Sequence, residues 1–567
     1  MTLSKHVNAE KIEDSVLAKS KKIHLNNHEE YIFRFSSNQK VPKHEIPMDS
    51  SDANLVYKYI RQGLSLDGIP SLNLASFVNT DVDEIAQKLI SENLVKNLAD
   101  NDEYPSLIEY QERCISILSN MWHAPKGSDG VPKTVGTATT GSSEAIMLAG
   151  LALKKKWQEK RKAEGKSTEN PNILMASVAQ VALEKFARYF DVENRTIRVT
   201  EESDHLIDVS EIRKNVDENT IGIFVIMGST FTGGFEPVEK IANSLDDIEK
   251  ESGLDIKIHV DGASGGFVAP FVYPHLKWDF TIPRVVSINT SGHKFGLTTA
   301  GLGWVIWREL DRLPESLRFK LDYLGGVEET FGLNFSRPGF PVLHQYFNLL
   351  TYGVEGYAKI YHSCLRNARV LSQVLEETKY FEVLSVIHKP IGKEEKEKTY
   401  TLKHDPRLKH RAEGTINEDF KPGLPVVAFR FSKEFREKYP EIPQAMISLL
   451  LRNKQFIVPN YHLTPDEQDK EILRVVVRAS LDLNLIDKLI DSIVESTELL
   501  IRAHENVISV LKHKNFASEE EKKKIIYDLL LSITSNGVTD AKALQTARLD
   551  KPGTGHHKHK KSYRGTC

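Results

Sequence analysis

Cysteine is scarce in this 567-residue sequence, and its three copies, Cys114, Cys364 and Cys567, lie far apart and in no metal-ligand spacing. That excludes a disulfide framework and argues against a zinc site, so no metal is expected and a reducing compartment fits. Long apolar runs are missing as well. No stretch approaches the ~18 consecutive apolar residues that span a bilayer; the longest candidates, Ile221 to Met227 and Ala300 to Trp307, are of strand length. The first residues include Glu10, Glu13 and Asp14 and lack the charged-then-apolar layout of a signal peptide. Cys567 is the last residue, which is not the position of a prenylation box. A cytoplasmic protein without a membrane partner is therefore expected. Charge of one sign is also lacking: 75 basic residues against 78 acidic ones leave a formal charge of −3, which gives no electrostatic case for nucleic acid. With 40% hydrophobic and 27% charged residues the chain has an ordinary globular composition. It is too long for a single core.

What the sequence does contain centres on Ser287-Ile-Asn-Thr-Ser-Gly-His-Lys294-Phe-Gly. Lys294 lies between two apolar runs that read as short buried strands, 284–288 and 300–307. A lysine at such a turn is partly desolvated, which favours the free amine able to form a Schiff base. Upstream, Asp255-Ile-Lys-Ile-His-Val-Asp261 reads as a strand ending on a carboxylate and opening into Gly-Ala-Ser-Gly-Gly. Ligands of open α/β sheets bind at the carboxyl ends of strands, which places Asp261 to meet one. Further back, Thr139-Thr-Gly-Ser-Ser-Glu-Ala145 runs into a helical pattern reaching about Lys162. The unpaired N–H groups of that helix start, beside the hydroxyls of Ser142 and Ser143, form a phosphate cradle. An amine, a carboxylate that keeps a pyridine nitrogen protonated and a phosphate site are together what pyridoxal 5'-phosphate requires.

Five segments carry a resemblance to a known family: Gly136-Thr-Ala-Thr-Thr-Gly-Ser-Ser-Glu-Ala-Ile-Met147, Lys185-Phe-Ala-Arg-Tyr-Phe190, His259 to Phe271, Ser291-Gly-His-Lys-Phe-Gly-Leu297 and Leu333-Asn-Phe-Ser-Arg-Pro338. From about residue 22 to 510 the chain resembles the group II pyridoxal-phosphate decarboxylases of fold type I, and within them the glutamate decarboxylases. The resemblance implies decarboxylation of L-glutamate to 4-aminobutanoate (GABA) and CO2 by way of a Schiff base on Lys294. It implies that Asp261 pairs with the ring nitrogen, that Ser142, Ser143 and His293 hold the phosphate with Ser336 of a neighbouring subunit, and that Ser291 is among the cofactor-binding residues. It further implies Gln180 stacked on the ring, and Ala263 and Thr230 beside the cofactor. Arg474 is implied for the substrate's α-carboxylate. Ser76 and Phe77, with Asn97 and Asp100 from a partner subunit, are implied for the distal carboxylate. Three residues compete as proton donor to Cα: Tyr323, at the root of the glycine-hinged loop Leu324 to Thr330, Lys294 and His293. A homodimer at least is implied, and the family also forms hexamers. Other readings are a group II decarboxylase for aspartate or an aromatic amino acid, a phospho-sphingosine lyase relative, or a non-catalytic scaffold of the same fold.

The expected architecture is α/β. Residues 1–70 form an N-terminal arm, and 71–355 a large cofactor-binding domain with helices on both faces of a mostly parallel, seven-stranded sheet. Residues 356–513 form a smaller α+β domain with a polar, mobile insertion at about 391–421, and 514–567 a basic tail. In that order helix and strand alternate, with strands at 172–177, 196–200 and 221–227 and an antiparallel strand, by resemblance, at 302–307. Within the tail, Ser518-Glu-Glu-Glu521 is a capping-box signature ahead of a basic amphipathic helix. Such a helix either packs on the protein or takes a calmodulin-like regulator, as in plant members of the family. The run His556-His-Lys-His-Lys-Lys561 reads as a solvated basic end.

Overall fold

The computed structural model describes residues 11–12, 44–48, 50–321, 328–399, 416–464, 467–468, 470–511, 516 and 518–536. Up to Ile69 the chain is a unit by itself, and its described part is dominated by the helix Ala53–Leu64, capped by the Asp52 carboxylate at the N–H groups of Asn54 and Leu55. From Pro70 onward the chain packs as one compact unit.

Seven strands form the main sheet of that unit: β1 (Val135–Thr139), β2 (Asn172–Ala176), β3 (Glu193–Ile197), β4 (Thr220–Ile226), β5 (Ile258–Asp261), β6 (Val285–Ser291) and β7 (Gly303–Trp307). Their order is β1-β7-β6-β5-β4-β2-β3, and only β7 runs against its neighbours. β2, β4, β6 and β7 are buried at every position, as strands must be when helices cover both faces. Their Val, Ile, Leu and Phe side chains contribute roughly 2 kcal/mol each on burial. The covering helices have apolar residues at helical spacing. In Val238–Ser252 these are Val238, Ile241, Ala242, Leu245 and Ile248, and the helix stops where Gly253 takes a left-handed turn (φ 75°).

After β7 come the short hairpin β8 (Phe319–Leu321) and β9 (Glu328–Thr330), then a second sheet of β10 (Phe381–Val383), β11 (Val426–Phe431), β12 (Asn460–His462) and β13 (Glu471–Val476). This sheet is antiparallel in the order β10-β11-β13-β12. Between the two sheets runs the helix Phe340–Glu377, broken at Gly353, whose φ of 53° and ψ of −166° no helix contains.

Two local expectations shift, at β3 and at the polar run, and a third, the capped tail helix, holds. β3 ends three residues early, because Ser177 takes over beyond Ile197: its N–H donates to Ile197 O and its hydroxyl accepts from Val199 N, which closes the ladder. The polar run near 391–421 starts with a helix, Lys393–Thr399, tied down by Lys396 on Asp419 at 2.9 Å. The tail helix, Glu519–Asn536, is capped by Ser518 accepting from Glu521 N. It buries Ile526 and Leu530 completely against the helices Ala445–Asn453 and Leu483–Leu511. Among the described residues no helix is long and apolar enough to cross a membrane. The run 556–561 lies outside them.

Candidate active site

Because β1, β2, β4, β5 and β6 point the same way, their carboxyl ends share one edge of the sheet. The segments leaving those ends enclose a cavity of about 200 Å³. It is lined by Ser142 and Ser143 after β1, Gln180 after β2, Thr230 after β4, Asp261 and Ala263 at β5, and Ser291, His293 and Lys294 at β6. Nine of the residues singled out from the sequence therefore meet at one place, the switch-point location expected for a ligand.

Lys294 is 5% exposed, and its Nζ lies 5.6 Å from the ring centroid of Phe77. The backbone just beyond it is held by one helix from 45 to 66 residues away. Tyr361 donates to Phe295 O, Gln345 and Tyr357 to Gly296 O at 3.1 and 3.2 Å, and Asn348 to Leu297 O at 2.9 Å, while His344 accepts from Thr299 N at 3.2 Å. His344, Gln345 and Asn348 precede the break at Gly353, and Tyr357 and Tyr361 follow it, so the kink lets both halves of the helix grip the same turn.

Asp261 is buried, and both of its donors, Asn289 Nδ2 at 3.0 Å and the Ala263 N–H at 3.1 Å, address Oδ1. Burial pushes its carboxyl above the usual range, opposed by Lys294 and by those two hydrogen bonds. His293 is pushed down to about 4 by burial and by the charge of Lys294, and its Nδ1 is buried with no hydrogen-bond partner. Ser142 and Ser291 join hydroxyl to hydroxyl at 2.6 Å at the start of the helix Ser142–Ala163. The cradle is tight: a methyl on Gly303 would come 2.4 Å from the carbonyl carbon of Gly141. Gln180 caps the helix Val181–Tyr189, accepting from Ala182 N at 2.7 Å.

Arg474, on β13, donates to Thr230 O at 2.5 Å and to Ala75 O. Its guanidinium lies 5.0 Å from the Phe77 ring and 5.6 Å from that of Tyr461. Ser76 accepts from Val78 N at 3.1 Å. Ser336, Asn97 and Asp100 do not line this cavity, and neither do Ser76, Phe77 and Arg474. Asn97 instead donates to Ser336 Oγ at 3.3 Å and accepts from Arg337 N at 3.0 Å, in a cluster where Ser336 is exposed. Tyr323 lies outside the described residues.

A family model described as the pyridoxal-dependent decarboxylase conserved domain matches residues 47–392. The chain belongs to the pyridoxal-dependent decarboxylase family. Among its relatives are the glutamate decarboxylase of Saccharomyces cerevisiae, 48% identical over 553 residues that make up 94% of this chain and 91% of the relative, and that of Solanum lycopersicum, 41% identical over 80% of this chain and 82% of the relative. A solved structure of Lactobacillus brevis glutamate decarboxylase superposes with a TM-score of 0.72 at 33% identity, covering 82% of this chain and 96% of that one.

The cavity of this decarboxylase fits pyridoxal phosphate on its own chemistry. It offers a buried amine, a buried carboxylate, hydroxyls at a helix start, and an imidazole nitrogen without a protein partner. Two acidic residues escaped the sequence reading. Glu144 accepts from Thr140 N and Oγ1 at 2.8 and 2.9 Å and, through its other oxygen, from the N–H groups of Leu333 and Asn334 at 3.1 Å each. Its position in the first helical turn was the available signal. Glu236, which accepts from Ile226 N, left no signal, because only the pairing of Met227 with Phe235 brings it beside β4.

Burial pushes Glu236 up to about 8, with Asp261 acting in the same direction and the Ile226 N–H against it. Its folded-state pKa exceeds the unfolded one, so its favourable contribution is complete below the unfolded pKa and is lost as pH rises through about 8. Glu236→Gln is expected to flatten that decline. Denaturant titrations at about pH 5 and about pH 9 should show the variant gaining on the wild type at the higher pH; an equal difference at both would contradict the burial of the proton.

Proposed function

We propose that the protein catalyses the pyridoxal-phosphate-dependent decarboxylation of L-glutamate to 4-aminobutanoate and CO2. The observation that carries this reading is the convergence of Lys294, Asp261 and the Ser142 helix start on one cavity, in a chain so similar to glutamate decarboxylases throughout its length. When bound, the cofactor supplies an electron sink for the pair left on Cα as the carboxylate departs.

Lys294 provides the amine that attaches the cofactor and later yields to the amine of the substrate. Asp261 keeps a proton on the ring nitrogen, where a full negative charge is needed. Ser142, Ser143, Ser291, His293 and the first-turn N–H groups hold the phosphate, and Gln180, Ala263 and Thr230 bound the ring. Arg474 takes the α-carboxylate, for which its planar fork is suited; Thr230 O and Ala75 O hold the fork in place. Each turnover adds one proton to Cα. Burial keeps His293 uncharged near neutrality, which favours Lys294 over His293 as its carrier.

Ser336, Asn97 and Asp100 keep the roles read from the sequence only if they serve the cavity of a neighbouring subunit. A homodimer at least is the assembly that those roles require. The buried Ile526 and Leu530 favour a packing role for the tail helix over capture of a calmodulin-like regulator. The cytoplasm remains the compartment that the cysteine usage favours.

The test is CO2 release by purified protein supplied with pyridoxal phosphate, comparing L-glutamate, L-aspartate and L-tyrosine. Release from glutamate alone is expected. Release from another acid would discard Ser76, Phe77, Asn97, Asp100 and Arg474 as the substrate pocket, and no release from cofactor-loaded protein would overturn the enzymatic reading.

A further inference from the structure

Asp261 is the inner end of a buried chain of side chains to which the reaction above gives no part. Asn289 Nδ2 donates to Asp261 Oδ1 at 3.0 Å, Asn289 Oδ1 meets His259 Nε2 at 2.7 Å, and His259 Nδ1 meets Ser287 Oγ at 2.8 Å. None of the four residues is more than 4% exposed. The pattern follows from strand geometry. His259 and Asp261 are two apart on β5, Ser287 and Asn289 two apart on β6, so each pair lies on one face, and the register sets His259 beside Ser287 and Asp261 beside Asn289. The edge of Phe224 fixes the imidazole, with ring centroids 5.4 Å apart.

Chemistry sets the polarity of this chain. A carboxylate only accepts, so the amide nitrogen of Asn289 must face Asp261. The Asn289 oxygen then needs the Nε2–H of His259, which leaves Nδ1 to accept from the Ser287 hydroxyl. Every donor is thus aimed toward Asp261. Burial supports the neutral imidazole this requires, pushing His259 down to about 4. Asn289 and Ala263 both address Oδ1, and Asp261 lines the cavity.

We propose that Ser287, His259 and Asn289 are positioning residues that hold the Asp261 carboxylate ionised and oriented, with Oδ2 presented to the ring nitrogen of the cofactor. This rests on the role given to Asp261 above. Stripped of water, that carboxylate would otherwise take up a proton and lose the charge the ring nitrogen needs.

Two measurements test it. In 15N spectra of histidine-labelled holoenzyme, His259 is expected as the neutral Nε2–H tautomer down to about pH 5; an Nδ1–H tautomer or an imidazolium overturns the proposal whatever the variants do. Equilibrium titration of apoenzyme with pyridoxal phosphate gives the second reading. His259→Phe keeps the ring packing but removes both nitrogens, and should weaken cofactor binding on the order of ten-fold to a hundred-fold. His259→Gln, whose amide can still donate to Asn289, should recover most of that loss. Wild-type affinity in His259→Phe, alongside weakened affinity in Asp261→Asn, overturns the relay alone. Wild-type affinity in Asp261→Asn overturns the relay together with the role of Asp261.

Discussion

Lys294→Ala is expected to reduce CO2 release from glutamate by at least about four orders of magnitude while leaving the fold intact. The two parts of this result have separate physical origins. The amine is the only group of Lys294 that the chemistry uses, and among the described residues no other lysine lines the cavity to replace it. The turn that carries it is held through backbone groups, the carbonyls of Phe295, Gly296 and Leu297 and the N–H of Thr299. Truncating the side chain leaves every one of those bonds in place. Initial-rate assays paired with denaturant unfolding separate the two. Activity within about ten-fold of wild type in a folded variant would remove Lys294 from the mechanism.

The second large effect is expected for Asp261→Asn, a loss on the order of a hundred-fold to a thousand-fold in kcat. Shape is nearly conserved by the exchange; charge and polarity are not. Oδ1 accepts from both Asn289 and Ala263, so the new amide would have to keep its oxygen there and turn its NH2 toward the cavity. A donor would then confront the ring nitrogen where an anionic acceptor had been. An amide has no carboxyl proton to gain or lose, so no change of pH should restore the rate. Full recovery at any pH would show that a formal charge at this position is not required.

The parts of the site that could be read from the sequence are those in which chemistry is local to a strand end. Lys294 and Asp261 stand at the ends of strand-like runs ahead of turns and Ser142 opens a helical pattern, so residue type and position announce them without knowledge of the fold. The supports around them depend on pairing. His259 and Asn289 are ordinary polar residues until the β5–β6 register puts them in contact. The side chains gripping the Lys294 turn come from a helix whose path depends on one glycine. Alternation of helix and strand sufficed for the sheet, but not for the end of β3, where a single serine hydroxyl decides which residue leaves the ladder. The short strands β10 and β12 were missed because three residues are too few to show a period.

Glu144 carries a consequence for assembly. One of its oxygens holds Thr140 at the phosphate cradle, and the other holds the backbone that leads to Ser336. Under the proposed placement of Ser336 at the cavity of a neighbouring subunit, a single carboxylate would span two binding equilibria, one for an anion and one for a second chain. Such equilibria are reciprocal: whatever factor cofactor occupancy adds to subunit affinity, subunit pairing adds to cofactor affinity. Dilution and cofactor depletion would then be two routes to the same inactive state, and protein concentration would belong among the variables that set how tightly this enzyme holds its cofactor.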